Sequence, residues 1–164
     1  YKRQDPYFKD INTIVQSISK TIKKFSFPFS INSNQPIAIS SVDLEKVTNV
    51  INDSESETGL IINIGFMGTV NKLEIRNIET GENFIIDYEF MKNDKLIINC
   101  NRGKKSVILT REAVEYNLIP QVRSESTFFQ LGIGDNRFSF LADDGEKDML
   151  VDISFKYYRV YLGV

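Results

Sequence analysis

From Leu60 to Thr110, strand-length apolar runs alternate with turn signals at intervals of roughly 8–12 residues, a rhythm that fits short antiparallel strands and little else. Leu60 to Met67 is an isoleucine-rich run in which Gly65 marks an expected bulge. Leu73, Ile75 and Ile78 belong to the next strand, closed by Glu79-Thr80-Gly81-Glu82 as a hairpin turn. In Asn83 to Phe90, the residues Phe84, Ile86, Tyr88 and Phe90 alternate on one face with Ile85 opposite, the period of a half-buried strand. Asn93-Asp94 turns the chain into Leu96 to Asn99, and Asn101-Arg102-Gly103-Lys104 turns it again into Ser106 to Thr110. No second long helical stripe separates these runs, so a βαβ organisation is excluded and an antiparallel sandwich or barrel is expected.

The same reading extends outward. Val42 to Ile51 is strand-like, and Asp53 to Thr58 is a polar loop. Residues 111 to 126 break the rhythm: Pro120 and the polar Gln121 to Glu125 predict a long connection with at most one helical turn. Phe128 to Leu131, Arg137 to Ala142 and Met149 to Tyr158 then complete the sheets.

The amino-terminal part reads differently. Ile11, Ile14, Val15, Ile18, Ile22 and Phe25 recur at helical spacing, which predicts an amphipathic helix from Asp10 to Phe25. Asp10 can cap its start, and Lys23 and Lys24 suit its carboxyl end. The abundance of β-branched residues pulls the other way, because such side chains lose rotamer freedom in a helix. The stripe Ile11, Ile14, Ile18 and Ile22 is the expected packing face, set against the sandwich, with a partner surface as the alternative. Phe25-Ser26-Phe27-Pro28-Phe29 is an extended edge or crossing segment, since proline cannot donate to a ladder. Asn32 to Pro36 reads as a linker, so two parts are expected: 1–36, and a sandwich over 37–164.

Composition narrows the function. Among 164 residues there is no histidine, which removes the commonest general base and the commonest metal ligand together. Cys100 is the only cysteine, so no internal disulfide can form, and a buried structural thiol is expected. Net charge is −2 with both signs interspersed, which argues against a nucleic-acid surface. No apolar run of about 18 residues exists to cross a membrane as a helix. The chain opens on Tyr1 with no charged-then-apolar leader, and is expected to be a piece of a longer protein.

Each chemistry-bearing cluster has a plainer reading beside it. Asp143-Asp144-Gly145-Glu146 with Asp148 could offer oxygen ligands to calcium, but the twelve-residue loop spacing is absent and a solvated turn is expected. Glu112 with Glu115, or Glu125 with Asp135, could be nominated as a glycosidase pair, yet no pattern fixes the required separation. Gly132-Ile133-Gly134 lacks the lysine and following helix of a phosphate loop. Tyr157, Tyr158 and Tyr161 with Phe155 form an aromatic cluster. Strand parity sends Phe155 and Tyr157 to one face and Tyr158 to the other, so half the cluster is core and the outward half serves either subunit packing or glycan stacking. No catalytic residue, metal ligand or cofactor is assigned, and no enzymatic activity is expected.

The ordered set of short motifs resembles the phage distal tail protein family. It comprises Asp5-Pro6-Tyr7-Phe8, Phe25-x-Phe27-Pro28-Phe29, Gly68-Thr69-Val70-Asn71, Asn77-x-x-Thr80-Gly81-Glu82, Asn93-Asp94-Lys95-Leu96-x-Ile98-Asn99, Gly103 to Val107, Ser126 to Phe140 and Tyr161-Leu162-Gly163-Val164. Two departures fall in turns, where the family pattern has Gly at the place of Asn93 and Pro near Lys72. The resemblance implies a mainly β fold, an antiparallel β-sandwich of about nine or ten strands, jelly-roll or galectin-like and so carbohydrate-module-like. It assigns Tyr1 to Phe8 to the exit of an amino-terminal belt domain. It further implies a structural component of the virion tail, made in the bacterial cytoplasm, in which the whole protein forms a homohexameric ring joining tail tube to adsorption apparatus. Its partners would be tail-tube, fibre and tail-associated lysin subunits. A carbohydrate-binding module gripping host cell-wall saccharide is the alternative.

Overall fold

The computed structural model describes residues 7–19, 46–143 and 151–162. Eleven strands run through them: β1 (Tyr7–Ser19), β2 (Lys46–Asn52), β3 (Thr58–Phe66), β4 (Val70–Asn77), β5 (Asn83–Phe90), β6 (Lys95–Asn99), β7 (Ser106–Arg111), β8 (Val114–Asn117), β9 (Gln130–Leu131), β10 (Gly134–Asp143) and β11 (Val151–Leu162). They form two antiparallel sheets. The larger has the order β1-β11-β3-β6-β7-β8 with β9 beside β3, and the smaller the order β2-β10-β4-β5.

β3 shows why the sequence folds this way. Thr58, Leu60, Ile62, Ile64 and Phe66 are buried in strict alternation with partly exposed residues, so one face of a central strand points into the core. β5 behaves as its alternation predicts, with Phe84, Ile86 and Phe90 buried on the inner face. Aromatic contacts join the two sheets: Phe66 stacks on Phe90 at 4.3 Å between ring centroids, and Phe138 on Phe155 at 5.5 Å. Ile85, on the outer side, is covered by the connection after β8, where Arg123 donates its backbone N–H to the Ile85 carbonyl and the Ser126 hydroxyl accepts from the Ile85 N–H. That covering removes one free sheet edge.

Three expectations need correction. The helix expected from Asp10 to Phe25 is not formed over residues 10–19, which lie in β1, paired antiparallel with β11 from Tyr7↔Leu162 to Ser19↔Asp152. The same isoleucines satisfy a strand: Ile14 and Ile18 pair in register with Tyr157 and Ile153, and β-branched residues favour a pleated backbone. Ile11 falls where the register shifts between Lys9 and Thr13, and residues 20–25, Ile22 among them, lie outside the described residues. Gly65 sits in unbroken pairing with Asp152 and Lys95; the register shifts instead between Asn71 and Leu73, where Lys72 has φ 48°. The connection from 111 to 126 holds the strand β8 as well as a single 3-10 turn at Ile119–Gln121.

The boundary expected after residue 36 lies outside the described residues, and β1, which precedes it, is hydrogen-bonded to the sandwich. The turns are knotted by asparagines. Asn136, 3% exposed, donates to the carbonyls of Gly132 and Gly134 and accepts from the Gly132 N–H. Asn93 has φ 72°, the left-handed conformation that explains a glycine at that place in the family pattern and that asparagine tolerates.

Candidate functional site

A concave groove of about 500 Å³ opens on the outer face of the larger sheet. The start of β3 supplies Gly59 and Ile61, the end of β6 and its following turn supply Asn99, Asn101, Arg102 and Lys104, β9 supplies Gln130, and β11 supplies Tyr158 and Val160. The turn is closed by the Lys104 N–H on the Asn101 carbonyl at 3.0 Å, with Gly103 at φ 75° providing the reversal. Gly59 is required by a close approach: a Cβ there would lie 2.7 Å from the Asn101 Cα.

Hydrogen bonds orient the groove's amides. The Asn99 Oδ1 accepts from the Asn101 backbone N–H at 3.0 Å and from the Asn101 Nδ2 at 2.8 Å. The Gln130 Nε2 donates to the carbonyls of Cys100 at 2.8 Å and Phe129 at 2.9 Å. Glu57, the one carboxylate lining the groove among the described residues, is paired with Arg102. Beneath the amides, Cys100 is fully buried, and that burial pushes its thiol up to about 12.

The three tyrosines singled out in the sequence do not form one cluster. Tyr157 is core, 3% exposed, with its hydroxyl donating to the Ile51 carbonyl across the sandwich. Burial, then the nearby Asp53 charge, pushes its phenol up. Tyr158 faces the groove, and Tyr161, 39% exposed, lies near the end of β11. Between them Arg159 holds Asp53 in a two-pronged ion pair. The groove itself went unread in the sequence; only the outward parity of Tyr158 pointed to it.

Neither acidic pair lines the groove. Glu112 and Glu115 are exposed at the β7–β8 hairpin, Glu125 lies near Arg123, and Asp135 accepts from Asn49. The acidic loop after Asp143 lies outside the described residues, and among the described residues no group of three or more Asp, Glu or Cys side chains is placed to hold a metal ion. Among the same residues, no helix is long and apolar enough to cross a membrane.

A second surface is apolar and open. All four residues of β8 are exposed, and as the last strand of the larger sheet it presents an edge unpaired among the described residues. Val114 and Tyr116, at the positions facing Arg111 and Leu109, are 51% and 44% exposed.

Comparison with known proteins gives a consistent result. Residues 53–158 match the family described as siphovirus-type tail component, C-terminal domain. The fold is similar to the crystal structure of the SPP1 Dit (gp 19.1) protein, described as a paradigm of hub adsorption apparatus in phages infecting Gram-positive bacteria. The TM-score is 0.63 at 12% identity, covering 97% of this chain and 50% of that one. It is also similar to a chain of the phage P2 baseplate in its activated conformation with Ca, with a TM-score of 0.50 at 14% identity, covering 93% of this chain and 53% of that one. The chain thus spans about half the length of these solved structures. No curated protein matches it by sequence.

Proposed function

The chain belongs to the siphovirus-type tail component family, and from that premise we propose that it is the outward sandwich of a distal tail protein, a building block of the baseplate hub that joins the tail tube to the adsorption apparatus. The observation that carries this reading is the family match, which runs from the loop after β2 into β11 and so takes in most of both sheets. The start of the chain is read as the exit from a belt domain, with β1 already lying in the larger sheet of the sandwich that the belt presents. The whole protein is a homohexameric ring in the virion tail, assembled in the bacterial cytoplasm, and its neighbours are tail-tube, fibre and tail-associated lysin subunits.

The function is geometric, with no reaction performed. A twisted double sheet with a packed aromatic core holds its loops and edges in fixed positions, and rigid surfaces lower the ordering cost of docking. The exposed β8 edge, which carries Val114 and Tyr116, suits contact with a neighbouring subunit. The test is electron microscopy of the whole protein and of the particle bearing it. Six-fold rings at the distal end of the tail are expected; a monomer distributed along the tail tube would overturn the reading.

A further inference from the structure

We propose that the groove walled by Tyr158 and by the turn after β6 binds an uncharged saccharide, a role that stands on the groove's own chemistry, apart from tail assembly.

The argument begins with what each amide has left to offer. Asn99 spends its Oδ1 on two N–H groups of Asn101, which leaves its Nδ2 as a donor. Asn101 spends its Nδ2 on Asn99, and Gln130 spends its Nε2 on two backbone carbonyls, which leaves an acceptor oxygen on each. One donor and two acceptors are therefore fixed in advance at the rim of one cavity. A hydroxyl group both donates and accepts, so neighbouring hydroxyls on a sugar ring can satisfy all three. A hydrogen phosphate dianion, with its single O–H, leaves at least one of the two amide oxygens unmatched.

Among the described charged lining side chains Arg102 is paired with Glu57, and Lys104 is the remaining cation at the rim. Tyr158 supplies an apolar surface with a polar tip, the combination that suits the C–H face and hydroxyl edge of a pyranose. The volume of about 500 Å³ lies within the roughly 300–1,000 Å³ usual for small-ligand sites.

The test is a nitrogen-15 NMR titration of the 164-residue chain with lactose, cellobiose and N-acetylchitotriose, and with inorganic phosphate as the anionic control. The expected result is saturable movement of the Asn99, Asn101 and Gln130 side-chain amide signals with at least one sugar and none with phosphate. Tyr158→Ala, checked for unchanged signal dispersion elsewhere, is expected to weaken binding about ten-fold, the scale of one lost aromatic contact. Tyr158→Phe keeps most of the affinity. Absence of saturable shifts in the groove with all three sugars overturns the proposal. So does competition by phosphate, or equal affinity in Tyr158→Ala.

Discussion

Arg111 on β7 holds Asp94 in the β5–β6 turn, with Nε donating to Oδ1 at 2.9 Å and Nη2 to Oδ2 at 2.6 Å, while Asp94 is only 1% exposed. The same carboxylate accepts the Met91 N–H at 2.8 Å, and Arg111 also donates to the Glu89 carbonyl and lies over the Tyr88 ring. One ion pair thereby ties the turn to the neighbouring hairpin. Removing one partner strands a buried charge, so Arg111→Ala is expected to cost about 3 kcal/mol. Arg111→Lys recovers less than half of that because the planar fork is lost. Urea unfolding with a two-state fit measures both.

Acid sensitivity follows from the same carboxylate. Burial would raise Asp94, but the Arg111 hydrogen bonds, the Met91 N–H and the Arg111 charge together hold it below its ordinary 3.8. A depressed folded value means that this stability is complete above about pH 4–5 and drains away as pH falls through the folded value. Asp53, Asp87 and Glu79 are also held low by Arg159, Arg123 and Arg137, but as exposed pairs they add little. With no histidine in the chain, the expected curve is flat from about pH 5 to 8. Asp94→Asn should show lower stability at neutral pH and a shallower fall in acid, read by thermal melts across pH.

Cys100 reports on global opening. Its thiol is fully buried and pushed up to about 12 against an ordinary 9.0. The folded state resists ionisation, so stability tied to this group is intact below about pH 9 and declines as pH rises above that. Labelling by a thiol reagent at pH 8 should match the rate of unfolding, and denaturant should accelerate it in proportion to the unfolded fraction. Rapid stoichiometric labelling of the folded chain would contradict the burial.

The β7–β8 hairpin has room for improvement. Both of its central residues, Glu112 and Ala113, have positive φ, at 49° and 63°, where the favoured sequence is Asn-Gly. Ala113→Gly relieves the left-handed strain and is expected to stabilise the chain by about 0.5–1 kcal/mol, seen as a higher melting temperature.

Gly59→Ala should have the opposite effect. The new methyl would meet the Asn101 backbone at 2.7 Å, a contact that no side-chain rotation relieves. A cost of about 1–3 kcal/mol is expected, with displaced Asn101 signals in NMR spectra marking the deformed groove.

Legibility in the sequence followed periodicity. β3 could be read from the isoleucine-rich apolar run of Leu60 to Met67, and β5 from the alternation of Phe84, Ile86, Tyr88 and Phe90. The family resemblance rested on an ordered set of short motifs, among them the turns around Asn77, Asn93 and Gly103, the last two with left-handed backbone at Asn93 and Gly103. β1 was misread because isoleucines at positions 11, 14, 18 and 22 fit a helical stripe, while Ile14 and Ile18 fit a strand equally well, and pairing with β11 decides between them. β8 was missed because Val114 to Asn117 is exposed throughout and carries no burial pattern. The groove was hidden for another reason: its amides come from segments some 30 residues apart, Asn99 and Asn101 on one turn and Gln130 on β9, and only the fold brings them together.

The pairing of β1 with β11 has a mechanical consequence. Tyr7 and Leu162 are register partners at one end of an antiparallel pair that runs to Ser19 and Asp152 at the other. Tension applied between residues 7 and 162 would peel that ladder open bond by bond from one end, at low force. Tension between residues 19 and 162 would load all its bonds in shear at once, which a β-ladder resists far better. Where a neighbour grips this strand therefore decides whether the sandwich behaves as a zipper or as a strut.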